Sequence, residues 1–392
     1  MTANPTRASL PSFIPSISAW IGRFRVPIGL FIASRVILIL FQAFIITKGG
    51  RPAAVPWTEP WLRWDALYYS SIAENGYTYS PDTHSAAAFF PLYPALMRVT
   101  APVTGGTDSA ALLISNLALL GALMMVQVLA EHEGFSAAAR TRAMLYLLVY
   151  PMGFFLGAGY AESLFLLLTI ACAYAARTHR WAWAIALGML ATLTRVTGVL
   201  MVGVIGLEWA ASHGFSLSHI RQRETWRALG RGLRAEGWVI LAALGIPLAL
   251  VSFMLYLGIN FGSPMLFIEA HASVRGNFDL TRVVTDVIKV LTRQTPRFDI
   301  ITGAGALFLV VVLLPRSFRL RGSYGWYFLL SALIPLTTGL ISFMRLMGGV
   351  FPLYFALAET PLSPRGHLVV MVAMVLLQMF ALLIFFGGGF VA

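Results

Sequence analysis

Asp65 stands beside Trp64 in the stretch WLRWDALYYSSIAENGY, residues 61–77, and its carboxylate is suited to acid–base chemistry. A carboxylate within hydrogen-bond reach of a hydroxyl can take its proton while that oxygen attacks an electrophilic carbon. Such a displacement also needs a group to receive what departs. Arg195 in TLTRVTGVL and Arg345 in SFMRLM suit a phosphate, because a guanidinium keeps its charge and its forked donors match phosphate oxygens. Glu162 in AESLF and Arg35 in IASRVIL are also ionisable groups set in apolar sequence, where charge is costly and marks a candidate site by default. Each has a blander use. Arg35 and Glu162 can simply pair across two helices. Asp65 can serve as the N-cap of a helix over DALYYSSIAENG that stops at Gly76. His84, further along the same loop, either contacts a phosphate or Asp65, or lies on the surface.

These residues sit in a chain of 392 residues that is 58% hydrophobic and 11% charged, with a mean hydropathy of +0.78. Apolar stretches recur from residue 26 to residue 388. A helix needs about 20 apolar residues to cross a bilayer. Only helices or closed barrels satisfy their backbone there, and the alternation of barrel strands is missing. The reading is an all-α polytopic membrane protein of one integral domain over 1–392 with no separate soluble domain, carrying about 10–11 such crossings. The net charge of +12 does not form one basic face; it lies in short loops beside apolar segments, which argues against nucleic acid and for a cytoplasmic membrane. The single cysteine, Cys172, falls inside an apolar run and reads as packing.

The order of apolar and basic segments then places the candidates. VPIGLFIASRVILILFQAFII is the first span, leading outward from a cytoplasmic N-terminal segment, and puts Arg35 roughly 14 Å from the entry face at 1.5 Å per residue. Residues 47–109 form a first outer loop too long to be a mere connector, and AAAFFPLYPALM within it can floor a cleft beside Asp65. A tight turn at Gly157, Gly159 and Tyr160 brings Glu162 to the same outer side. The run at 181–210 is about thirty residues long, and a single crossing would put the arginines of 221–234 outside. A broken pair of short helices turning at TRVTG removes that conflict and leaves Arg195 at the tip, facing a watery pocket. Residues 260–300 form a second large outer loop. A further apolar run leads out to Arg345, and the last two, near 346–358 and 367–388, complete the bundle.

RWDALYYSSIAENGY, AFFPLYP, YPMGFFLGAGYAESLFLLL, TLTRVTGVL and SFMRLMGGVFPLYFALA occur in the order seen in the PIG-V family, which the chain resembles over residues 26–360. The eukaryotic members of that family add the second mannose to glycosylphosphatidylinositol, and this compact chain looks like a prokaryotic-type relative. The resemblance implies a GT-C glycosyltransferase fold and transfer of a mannosyl residue from a polyprenyl-phosphate sugar donor to a hydroxyl of a glycolipid or glycan acceptor, with inversion, on the extracytoplasmic side of the membrane. Asp65 matches the family's catalytic acidic position; Glu162, Arg195 and Arg345 match its ESLF glutamate, its TR arginine and its late arginine. Arg195, Arg345 and His84 are then expected on the donor phosphate, and Glu162, Trp64, Tyr69, His271 and Arg275 are expected to bind or orient substrate. Val274 stands where the family often has a Trp, a departure that bears on the acceptor.

No cofactor is implied. The chain has no Gly-rich nucleotide loop, and no acidic pair or His cluster at ligand spacing near Asp65 supports a divalent cation. The rival readings are a lipid or sugar-lipid transporter, which would favour repeat symmetry between halves, and a non-catalytic partner subunit, in which Asp65 would be dispensable.

Overall fold

A computed structural model describes residues 17–48, 56–79, 86–215, 222–275, 279, 281–292, 298–337 and 339–391. Within them the chain is helical, in the order α1 (Ile17–Lys48), α2 (Asp65–Asn75), α3 (Leu92–Thr104), α4 (Thr107–His132), α5 (Ala137–Val149), α6 (Glu162–Arg177), α7 (Trp181–Thr194) and α8 (Met201–Ser212). It continues through α9 (Arg223–Glu236), α10 (Trp238–Ala243), α11 (Gly245–Phe261), α12 (Leu266–Arg275) and α13 (Thr281–Leu291). The last helices are α14 (Phe298–Leu320), α15 (Gly322–Leu336), α16 (Phe343–Met347), α17 (Phe351–Ala358) and α18 (Pro364–Phe386). No strand occurs among the described residues.

Five helical stretches are long and apolar enough to cross a membrane: Ser18–Thr47, Thr107–His132, Trp238–Phe261, Phe298–Leu320 and Pro364–Phe386. The protein is a helical membrane protein. Its centre is α6, where Ala173, Ala175, Ala176 and Cys172 are buried and let α4 and α7 approach closely. The Cys172 thiol donates to the Ala184 carbonyl of α7 at 3.1 Å, so it does pack. By contrast α1 exposes Ile32, Val36, Ile39 and Leu40 on its outer flank.

The apolar run at 181–210 is indeed broken. α7 ends at Thr194, Arg195 is extended (φ −154°, ψ 143°), and a 3-10 turn over Val196–Leu200 leads into α8. That the two arms form a hairpin follows from where their far ends are tied. Arg177 at the end of α6 pairs with Glu133 after α4 (2.6 Å) and with Glu208 of α8 (3.6 Å), and Arg321 before α15 pairs with Glu208 (2.7 Å). The end of α8 therefore lies beside the end of α6, from which α7 sets out. Gly198 seals the tip: a Cβ there would come within 2.3 Å of the Ala191 and Thr192 backbone.

Other expected spans are cut differently. α1 is already helical at Ile17, ahead of the start expected near residue 26, and there Trp20 packs on Phe24. α5 stops at Val149, since Pro151 forces Tyr150 to be extended (φ −53°, ψ 138°), and the chain goes on as a 3-10 turn over Gly153–Gly157. α15 ends at Leu336 instead of reaching Arg345. Gly339 and Ser342 adopt positive φ (97° and 61°), and Arg345 falls in the short α16. α17 is likewise only eight residues long, buried throughout, and too short to cross alone.

Candidate active site

Asp65 is the first residue of α2, and the N-cap position is held by Trp64 at φ 58° and ψ −116°, with no side-chain cap bond. The capping role expected for Asp65 therefore does not hold, while the stop at Gly76 does. A left-handed Trp is strained and persists only when its surroundings over-determine it. Here they do. Arg63 binds Glu59 at 2.9 Å and the Phe385 carbonyl at 3.0 Å, the Tyr160 hydroxyl donates to the Arg63 carbonyl at 2.7 Å, and Gly159 N–H donates to Trp61 at 3.0 Å. The Trp64 ring packs edge-on against Phe390 at 5.4 Å, and this residue is not among those lining the cavity described below. Trp64 thus sets the backbone direction from which Asp65 departs.

The aimed carboxylate enters an alternating chain of charges. Arg345 Nη2 reaches Asp65 Oδ2 at 2.5 Å and Glu162 Oε1 at 2.8 Å, and Arg195 Nη1 reaches the same Glu162 oxygen at 3.0 Å. Segments distant in sequence supply the four residues: α2, the first turn of α6, the break after α7, and α16. Arg345 is 5% exposed and Glu162 2%. Its guanidinium lies over the rings of Tyr160 (4.6 Å) and Phe155 (4.9 Å), and that of Arg195 over Phe165 (5.9 Å). Oε2 of Glu162 has no hydrogen-bond partner among the described residues. Buried charges persist only when paired, and each buried cation here has a carboxylate.

A cavity of about 550 Å³ opens on this chain. Asp65, Tyr69, Thr194, Arg195, Thr197 and Arg345 form its polar wall; Leu250 and Met254 of α11, Phe267 and Ile268 of α12, and Ile334 and Pro335 of α15 continue it as an apolar one. Phe89 and Phe90, from the segment expected to floor a cleft beside Asp65, line it as well. Tyr69 keeps its phenol protonated far above neutral pH: burial pushes its pKa up, the nearby charge of Glu162 adds to the rise, and Arg195 opposes it. Its hydroxyl is therefore a donor at the cavity wall.

Sequence reasoning brought Asp65, Glu162, Arg195, Arg345 and Tyr69 to one place. It did not anticipate that Glu162 pairs with both site arginines and leaves Arg35 elsewhere, beside Asn116. Nor did it find Tyr160 and Phe155 as the rings beneath Arg345; their closeness to Glu162 in YPMGFFLGAGYAESLF was the available signal. His84 lies outside the described residues. His271 and Arg275 belong to α12, but their side chains lie outside the described ones. No group of three or more His, Cys, Asp or Glu residues able to hold a metal ion occurs among the described residues.

The class is thus a helical membrane protein with a charged, half-polar and half-apolar cavity at one end of its bundle. The family model for mannosyltransferase (PIG-V) matches residues 56–266, and the chain belongs to that family. The match includes Asp65, Glu162 and Arg195 and ends before Arg345. Among similar proteins are the GPI alpha-1,6-mannosyltransferase 2 of Mus musculus, 32% identical over 213 residues, and that of Homo sapiens, 30% identical over 209 residues. The aligned parts cover 52% and 49% of this chain and 41% and 40% of those relatives, so the chain spans well under half their length. A GPI mannosyltransferase 2 of Cryptococcus neoformans is 30% identical over 131 residues, 29% of this chain and 28% of its own. An Archaeoglobus fulgidus oligosaccharyltransferase aligns over 94% of this chain and 55% of its own with a TM-score of 0.43 and 14% identity, too distant a likeness to argue from.

Proposed function

We propose that this protein is a membrane mannosyltransferase of GT-C type that moves a mannosyl residue from a polyprenyl-phosphate donor to a hydroxyl of a glycolipid or glycan, with the site on the extracytoplasmic side. The observation that carries the reading is the continuity of the cavity: one wall bears Asp65 and Arg195, the other is apolar side chains of α11, α12 and α15. A ligand with a sugar phosphate at one end and a hydrocarbon chain at the other matches both walls, and family membership supplies the reaction class.

Asp65, 26% exposed at its side chain, takes the acceptor hydroxyl proton as that oxygen bonds to the anomeric carbon. The bond from that carbon to the phosphate oxygen breaks on the opposite face, the phosphate leaves with the electron pair, and configuration inverts. Arg195 meets the departing phosphate, since its side chain is 21% exposed and lines the cavity, and Arg345 adds its charge beside it. Arg345 also fixes the direction of Asp65, and Glu162 holds both arginines from outside the cavity, which makes it a positioning residue. Tyr69 donates to a sugar or phosphate oxygen.

The test reconstitutes the protein in lipid and supplies radiolabelled mannose either on a polyprenyl phosphate or on a soluble nucleotide, with glycolipid acceptors. Transfer from the polyprenyl donor alone is expected. Binding of that donor without transfer to any acceptor would instead favour a lipid carrier, and transfer from the nucleotide would overturn the donor assignment.

A further inference from the structure

Arg35 is the ionisable group the site leaves out. It lies in the apolar helix α1, and its polar contacts are two long ones: Nε to Ser34 Oγ at 3.4 Å and Nη1 to Asn116 Oδ1 at 3.4 Å, with the Phe31 ring 5.8 Å away. Arg345, Arg195 and Arg177 each hold a carboxylate at 3.0 Å or less. Arg35 has no carboxylate partner among the described residues. A guanidinium in this setting needs an anion, because the cost of an uncompensated charge in hydrocarbon exceeds what two long neutral contacts return.

The surroundings are built around that guanidinium. Asn116 donates its amide to Leu112 (2.8 Å) and Gly157 (3.2 Å) carbonyls, which turns its oxygen toward Arg35. A Cβ on Gly157 would fall 1.8 Å from Arg35 Nη1, so the guanidinium in this position lies directly against the Gly157 backbone. Gln42 on the same helix, about 10 Å further along at 1.5 Å per residue, binds Trp57 and Trp61 and marks the level of the first loop. Arg35 thus lies in the half of the Ser18–Thr47 span nearer the first loop, about 10 Å short of its level. Exposed Ile32, Val36 and Ile39 flank it and offer apolar surface for an acyl chain. None of Arg35, Asn116 and Gly157 lines the Asp65 cavity.

We propose that Arg35, with Asn116 and Gly157, forms a second site that binds the phosphate of a membrane lipid whose chain lies along α1. The bidentate donors of Arg35 take two phosphate oxygens and supply the missing counter-charge.

The test measures melting temperature and bound lipid by native mass spectrometry for the detergent-purified protein. It is titrated with phosphatidylglycerol, with diacylglycerol of the same chains, and with glycerol phosphate. Wild type should gain stability and retain lipid with phosphatidylglycerol alone, and Arg35→Gln should bind it roughly tenfold or more weakly. If Arg35→Gln does not fold, Arg35→Lys keeps the charge without the fork and should show a reduced shift. Equal phosphatidylglycerol binding by wild type and variant overturns the site. An equal response to glycerol phosphate overturns the lipid as its source, and an equal response to diacylglycerol overturns the role of phosphate.

Discussion

Glu162 shows how one oxygen can organise a site. Its Oε1 faces Arg195 and Arg345 together, so its loss leaves the half-buried Arg195 and the buried Arg345 with only Asp65 between them. Glu162→Ala is expected to destabilise the protein by about 3–5 kcal/mol. Thermal unfolding in lipid nanodiscs measures this, and a loss under 1 kcal/mol would mean the charge chain is not what holds the site. Tyr69→Phe removes a donor without removing a charge. Because the Tyr69 pKa is raised, its neutral form persists to high pH, and the phenol supplies no titration near neutrality. Transfer by Tyr69→Phe should fall roughly tenfold or more with the pH profile unmoved; a shifted profile would assign Tyr69 a proton-transfer role instead. At this scale the sequence was informative, since charged residues in apolar runs stand out. Their pairing was not, because which carboxylate meets which guanidinium depends on helix rotations that apolar periodicity leaves open.

The break after α7 is the element on which Arg195 depends. A thirty-residue apolar run followed by arginines is visible as a conflict in the chain, and TRVTG as its resolution, so this hairpin was legible. The early ends of α5 and α15 were not. Each follows from local backbone geometry, a proline-constrained Tyr150 and left-handed Gly339 and Ser342, inside stretches that are predominantly apolar. Gly198→Ala tests the hairpin. With its Cβ 2.3 Å from the α7 backbone, the 3-10 turn must move, at a cost of about 1–3 kcal/mol, and Arg195 moves with it. Transfer should drop more than stability does. An Ala variant with full activity would show that Arg195 does not depend on that packing.

For the whole molecule, one end of the bundle gathers the Asp65 cavity and the other the Glu133, Arg177, Glu208 and Arg321 cluster. The proposed orientation puts the cavity outside, with α9 and its arginines inside. Cys172 is the chain's single cysteine and is buried, so a Cys172→Ala background suits labelling with a membrane-impermeant maleimide. Exposed Tyr79→Cys in the first loop should label in intact cells, and Arg227→Cys in α9 only after permeabilisation; the reverse pattern would invert the topology.

Separate measurement of donor binding and mannosyl transfer for Asp65→Asn in lipid nanodiscs tests the central claim most directly. Asparagine keeps the shape and removes the basic oxygen. Polyprenyl-phosphate mannose should bind with affinity within about threefold of wild type while transfer falls by about 10²–10⁴-fold. Transfer at the wild-type rate by the folded, donor-binding variant would contradict Asp65 as the base.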